Sequence, residues 1–268
     1  VAVFAVPAAA QDGGPYFDGF YIGGSISADT AQSSRNDGFV FDTNRDGAFD
    51  NTVRTVAGAD AFSPGFCTGP ADGATRDQSC GGNDLEIGYA ARVGFDSRMG
   101  DGPFVAGVLI EGAKPGVEDF TTAFSTTPAR YTIGREIDYS VMARGRLGFS
   151  PGEGRGLFYV TGGVGYARID RAFSTTNGAN SFTPNDDRSW EFGAQVGGGA
   201  EVMLTRNIGL GLEYLYSSYD DEDYVVAVGA GTAPATNPFL LTSGGTNLTT
   251  SQNRLDYHSF RANLNFRF

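Results

Sequence analysis

Arg254 to Phe268 reads RLDYHSFRANLNFRF. Taken in twos from its end, one set is Phe268, Phe266, Leu264, Ala262, Phe260 and His258. The other is Arg267, Asn265, Asn263, Arg261, Ser259 and Tyr257. Side chains on a strand alternate between faces, so one side of this strand is apolar and aromatic and the other polar and charged. It reads as the closing strand of the chain, with no helical pattern left to cover its apolar side. Lipid is the cover that fits, with the charged side turned into a barrel.

The chain carries 40 Gly, 21 Phe, 12 Tyr, one Trp, one His and two Cys, with a formal net charge of -12. That acidic balance argues against nucleic-acid binding, which needs a basic surface. No apolar run is long enough for a membrane-spanning helix. The mean hydropathy of -0.21 does not oppose a membrane barrel, which is apolar only at every second residue. The first ten residues, VAVFAVPAAA, read as the remnant of a secretory signal: an apolar core followed by small residues before Gln11. Pro7 and the lack of alternation speak against a strand there. Residues 11–268 are then one barrel.

The same two-faced pattern recurs along the chain. Strands are expected at about 19–28, 83–97, 103–114, 131–149, 157–169, 188–203, 208–219 and 254–268. In 83–97, for example, Leu85, Ile87, Tyr89, Ala91, Val93 and Phe95 oppose Glu86, Gly88, Ala90, Arg92, Gly94 and Asp96. The connections alternate in length. Long ones at 29–82, 115–130, 170–187 and 220–253 alternate with turns of a few residues. Outer-membrane barrels have this asymmetry, with tight periplasmic turns and long external loops, and a soluble sandwich has no reason for it. The fold expected is an all-β, closed, antiparallel up-and-down transmembrane barrel of eight strands, with loops extracellular and both termini periplasmic. Segments 39–41, 52–56, 224–228 and 239–243 would make ten strands if they spanned. Each is shorter than the roughly 9–11 residues a tilted spanning strand needs, so they are read as extensions outside the bilayer. Phe20, Phe104, Phe149, Phe158, Phe266 and Phe268 fall near the short turns, and Tyr131, Tyr166, Trp190 and Tyr216 toward the long loops, as two interfacial girdles.

With Gly19-Phe20-Tyr21-Ile22-Gly23-Gly24 opening the first strand and Asn265-Phe266-Arg267-Phe268 closing the last, the chain resembles the opacity/OmpA-like family of small outer-membrane barrels. The likeness covers nearly all of residues 15–268. It implies a barrel in the bacterial outer membrane, inserted by the outer-membrane assembly machinery, which reads the terminal aromatic strand with Phe266 and Phe268 as its signal. It also implies roles in envelope integrity, surface adhesion or slow passage of small solutes. The peptidoglycan-binding domain of the OmpA pattern is not expected here, and the first loop is much longer than this family usually carries.

Turned inward, Arg92, Glu111, Arg144, Glu213 and Arg261 are expected at mid-height, Glu86, Glu136, Asp138 and Glu191 above them, and Arg146, Glu201 and Arg267 below. Charges in so narrow a barrel must pair. The network either plugs the barrel or, with the lumen glycines leaving room for water, gates a narrow leak. The first loop holds Asp42, Asn44, Asp46, Ala48 and Asp50 at calcium-loop spacing around Gly47. The stretch reads either as an Asp/Asn/Gly-rich turn, with Asp46-Gly47 making the bend, or as a weak calcium site in which Val53 stands where the bidentate Glu should be. Cys67 and Cys80 are expected to form a disulfide. Asp186-Asp187 and Asp220-Asp221-Glu222-Asp223 read as a solvated acidic rim that can share divalent cations with lipopolysaccharide. His258 faces lipid without a catalytic neighbour: Phe260 is two residues along and Ser259 points inward. It is read as part of the aromatic belt, and the chain as no enzyme. The function expected is a structural and surface-interaction barrel in contact with outer-membrane lipid and lipopolysaccharide and open to lateral self-association; a narrow, charge-gated solute channel is the alternative.

Overall fold

The computed structural model describes residues 16–32, 37–78, 80–82, 84–152, 154–185, 188–221 and 224–268. The expected signal remnant lies outside them. The described elements are β1 (Gly19–Ala31), β2 (Phe39–Asp42), β3 (Gly65–Thr68), β4 (Glu86–Arg98), β5 (Phe104–Lys114), β6 (Glu118–Ser125), β7 (Ala129–Phe149), β8 (Gly156–Thr175), β9 (Ser181–Pro184), β10 (Arg188–Met203), β11 (Ile208–Asp220), β12 (Val226–Gly229), a 3-10 turn (Pro238–Leu240), β13 (Thr246–Thr250) and β14 (Arg254–Arg267). None of them is a helix long and apolar enough to cross a membrane.

Eight strands close on themselves. The order β7-β5-β4-β1-β14-β11-β10-β8 is completed by the β7–β8 pairing, all antiparallel. Closure satisfies every edge, which a sheet in lipid requires. The outer face is an apolar band. Leu212, Val160 and Val108 expose 69%, 65% and 63% of their surface, and Phe260, Ile26 and Leu264 stand out alongside them. Rings pair at the short-turn end (Phe20 with Phe95 at 4.9 Å, Phe104 with Phe149 at 5.7 Å) and at the long-connection end (Tyr139 with Trp190 at 5.2 Å).

The long connections are not free loops. β7 and β8 run on past the Tyr139–Trp190 level, and β6 pairs with the extended part of β7 while β3 pairs with β6. A second sheet, β2-β13-β12-β9, draws its strands from three different connections. The two share a core that includes Phe39, Phe41, Phe62, Tyr131, Val226, Phe239 and Leu248. The long connections therefore build one folded cap on the barrel. The segments expected to extend beyond the bilayer take mixed forms: 39–41 and 226–228 lie in strands of the cap sheet, 52–56 makes only an isolated bridge at Arg54, and 239–243 enters the 3-10 turn rather than a strand.

One sequence expectation reverses. Between Ile137 and Tyr139 the β7–β8 register shifts by a bulge. An extra residue flips every side chain beyond it to the opposite face. Tyr131, expected in the outer girdle, is buried, as are Ile133 and Ile137, which share its place in the alternation. Glu136 and Asp138, expected in the lumen, stand outside, 3.5 Å and 3.7 Å from Lys114.

Candidate functional site

The inward faces bring charges together in tiers. At mid-height Glu111 (β5) and Glu213 (β11) face Arg92 (β4), Arg144 (β7) and Arg261 (β14). Arg144 lies 2.9 Å from Glu111 and 3.2 Å from Glu213, Arg261 2.5 Å from Glu111, and Arg92 3.3 Å from Glu111 and 3.6 Å from Glu213. Arg92 also donates to Asn263 at 2.6 Å, and the Tyr159 hydroxyl donates to Glu213 at 3.1 Å. All five charged side chains are buried. Buried charges persist only when paired and hydrogen-bonded, since losing one partner leaves the other uncompensated.

Nearer the short turns, Arg146 and Arg267 share Asp96 and Glu201 (Arg267 to Asp96 2.7 Å, to Glu201 3.0 Å; Arg146 to Glu201 3.3 Å, with Arg146 also bonded to Asp96). Both guanidinium groups lie against the Tyr21 ring at 4.8 Å, and Arg267 against Phe17 at 4.7 Å. Phe17, held at φ 59°, packs with Val105, Leu157 and Met203 to close this end. Asp96 had the inward parity that would have found it, yet it was not placed in the network.

Above the mid-height ring the lumen turns apolar. Ile137, Met142, Ile169, Tyr219, Leu255 and Tyr257 pack across it with Val117, which the second long connection contributes. Asp29 pins that connection: it accepts from the Gly116 N–H at 3.0 Å, from Ser27 at 2.9 Å and from Ser259 at 2.5 Å.

Between this layer and the cap core sits a second charged seam. Arg135 bonds Asp119 and, at 2.9 Å, Asp221; Arg171 meets Asp221 at 2.5 Å and Glu191 at 2.7 Å. Glu191 thus joins Arg171 rather than the mid-height ring. Burial works against the Arg135 charge, but Asp119 and Asp221 more than offset it and hold its pKa above the usual value. Asp221, read as part of a solvated rim, is buried; Asp220 is half-exposed beside Arg254 at 3.3 Å. Asp186, Asp187, Glu222 and Asp223 lie outside the described residues. Arg135 carried no sequence signal because the bulge inverts its parity, Arg171 because it lies past the expected strand end at 169, and Asp119 because it falls in the expected loop 115–130. Outside the seam, burial and then Glu136 and Glu86 push the Glu118 carboxyl up.

The remaining expected sites are found as follows. Cys67 and Cys80 form a disulfide, with Cα atoms 6.2 Å apart. In the 42–50 loop, the Asp42 carboxylate accepts from the N–H groups of Asp46 (3.2 Å) and Gly47 (3.1 Å), and Asp46 accepts from the Ala48 N–H (2.9 Å) and Asn44 Nδ2 (2.8 Å). Asp50 accepts from Asn51 Nδ2 at 2.8 Å. Gly47 takes a φ of 90°, which the turn requires of it. Among the described residues no group of three or more His, Cys, Asp or Glu is placed to hold a metal. On the outer face, His258 Nδ1 lies 2.7 Å from the Tyr214 hydroxyl, and its Nε2 lies 2.9 Å from Gln32 Oε1.

A closed barrel, an apolar outside and a charged inside are now joined by a direct match: the chain fits the outer membrane protein beta-barrel domain along residues 1–268. It belongs to that family. As an outer membrane beta-barrel protein its place is the bacterial outer membrane. Over 133 residues it is 26% identical to the 31 kDa outer-membrane immunogenic protein of Brucella melitensis biotype 1 and to the protein so named from Brucella suis biovar 1, covering 50% of this chain and 47% of each relative. The match spans about half the length of those curated relatives. Among solved structures it is similar to the outer membrane protein OprG from Pseudomonas aeruginosa (13% identity, 95% of this chain and 99% of that one, TM-score 0.46) and to Neisserial surface protein A (10% identity, 94% and 98%, TM-score 0.39).

Proposed function

We propose that this outer membrane beta-barrel is a non-enzymatic, non-conducting scaffold that displays its cap to the outside, with the short turns and both termini on the periplasmic side. The observation that carries this reading is the filling of the lumen. Paired charges occupy its middle, an apolar layer lies above them, and Phe17 with its neighbours closes the other end. An eight-stranded barrel leaves an interior just wide enough for side chains, so this filling supports a wall rather than a conduit. The work would then fall to the cap, in contact with lipopolysaccharide below and with the surroundings above. Insertion by the outer-membrane assembly machinery through Phe266 and Phe268, and lateral self-association, belong to the same proposal.

Planar-bilayer recording of the purified protein tests it. A silent membrane over a wide voltage range is expected. Reproducible openings would overturn the scaffold reading in favour of the charge-gated channel.

A further inference from the structure

The outer wall of the barrel changes character at one row of residues. Tyr139 on β7, Arg168 on β8 and Trp190 on β10 stand opposite one another across adjacent strands. Below Arg168, every second residue of β8 is exposed and either apolar or glycine: Tyr166, Val164, Gly162, Val160 and Phe158. Phe158 to Tyr166 spans nine residues, in keeping with the roughly 9–11 that a tilted strand needs to cross the hydrocarbon. Above the row the wall turns charged, beginning with the pair Asp170 and Arg188. Arg168 therefore stands one step beyond the hydrocarbon, at the depth of lipid headgroups.

Other cations on this rim already have carboxylates. Arg188 lies 2.7 Å from Asp170, Lys114 3.5 Å from Glu136 and Arg254 3.3 Å from Asp220. Arg168 pairs with no carboxylate among the described residues, in a chain of formal net charge -12. It donates to the Tyr139 hydroxyl at 3.0 Å, and its guanidinium carbon lies 5.7 Å from the centre of that ring. Tyr139 and Trp190 meet edge to face at 5.2 Å, which steadies the aromatic pair that flanks Arg168. The guanidinium is thus held in place with N–H groups left to donate. The Tyr139 hydroxyl, which accepts from it, keeps its own proton to give.

We propose that this row binds a phosphate monoester on a lipid of the outer leaflet, the phosphorylated sugar headgroup of lipopolysaccharide, directly and without a bridging divalent cation. A guanidinium offers two parallel N–H groups that match two phosphate oxygens. The Tyr139 O–H can donate to a third. At headgroup depth the phosphate need not enter the hydrocarbon, and a Tyr–Trp pair suits that interface. Cation sharing at an acidic rim works differently, because here the protein itself supplies the positive charge. This deepens the surface-interaction reading: the choice of leaflet rests on it, and the phosphate contact does not.

Trp190 is the sole tryptophan of the chain, so its fluorescence reports on this row. The purified full chain in neutral detergent micelles is titrated with lipid A in the presence of EDTA. Bisphosphorylated lipid A should give a saturable change in emission. Dephosphorylated lipid A should bind about tenfold more weakly, and inorganic phosphate at the same concentrations should change nothing. Arg168→Gln should also bind the bisphosphorylated lipid about tenfold more weakly. Arg254→Gln, which removes a cation elsewhere on the rim, should bind it as the native chain does. Equal binding of the dephosphorylated lipid, an equal response to free phosphate, or loss of binding in EDTA would overturn the proposal. So would equal binding by Arg168→Gln or equal weakening by Arg254→Gln. Heat-dependent electrophoretic mobility verifies that both variants are folded, and the dephosphorylated lipid tests the phosphate without any variant. Labelling of the cap on intact cells reads its orientation separately, so failure of this contact and failure of the display reading are told apart.

Discussion

Arg135 on β7 stands directly across the ladder from Arg171 on β8. Like charges so placed repel, and Asp221 is the group that reconciles them, bonding both. Asp221→Asn should therefore leave two buried guanidinium groups under-compensated and loosen the cap by about 3–5 kcal/mol. The barrel, sealed below by its own apolar layer, should hold. Hydrogen exchange would register faster opening of residues 118–136 and 170–175 with unchanged protection of β1, β4 and β14. Equal loosening of both parts would mean that the seam does not separate them.

Glu111 touches three arginines, Arg92, Arg144 and Arg261. Glu111→Gln should cost about 3–5 kcal/mol of barrel stability, since it strands more than one cation. Glu136→Gln, outside the barrel with its side chain half exposed beside Lys114, should cost at most about 1 kcal/mol. Urea unfolding in lipid vesicles compares the two. The contrast also tests the bulge, because an inward Glu136 would make the two substitutions similar.

The cap should respond to pH through Glu118. Its carboxyl is raised by burial first and then by Glu136 and Glu86. A carboxyl whose pKa is higher in the folded state binds its proton more readily there. The penalty of the charged form is present above the folded value and relieved as pH falls through it. Glu118→Gln should then protect β6 better than the native residue at neutral pH, and the difference should fade on acidification. A difference that grows toward low pH would reverse the sign.

Calcium binding by Asp42, Asn44, Asp46, Ala48 and Asp50 is a proposal that limited proteolysis decides. Bound calcium should protect residues 40–55 more than chelator does, and Asp42→Asn should abolish the difference. Equal cleavage with calcium and with chelator would end it.

The barrel was readable because a lipid-facing strand repeats its pattern over ten or more residues, and errors of phase show at once. The terminal stretch, with Arg261 and Arg267 set against Phe260 and Phe266, is the clearest case. One bulge defeated the same reasoning on β7: Tyr139 and residues after it obey the expected parity, and Ile137, Arg135 and Ile133 invert it. The cap was illegible for a different reason. The strands of its second sheet are four or five residues long, and their partners lie far away in sequence, as when Leu248 pairs with Phe41. Neither length nor neighbourhood marks such a segment as part of a core. The disulfide needed no such context, because only two cysteines were present to pair.

The strand order β2-β13-β12-β9 has a bearing on the order of events in assembly. Its outer strands come from the first and third connections and its inner pair from the fourth. The inner pair can take its place only when β11 and β14, which flank it in sequence, approach their own positions. Non-local pairings of this kind form late, because their loop-closure entropy must be met before they return any contact energy. The displayed part of the molecule is thus the last to ripen, and an intact cap certifies a barrel already closed.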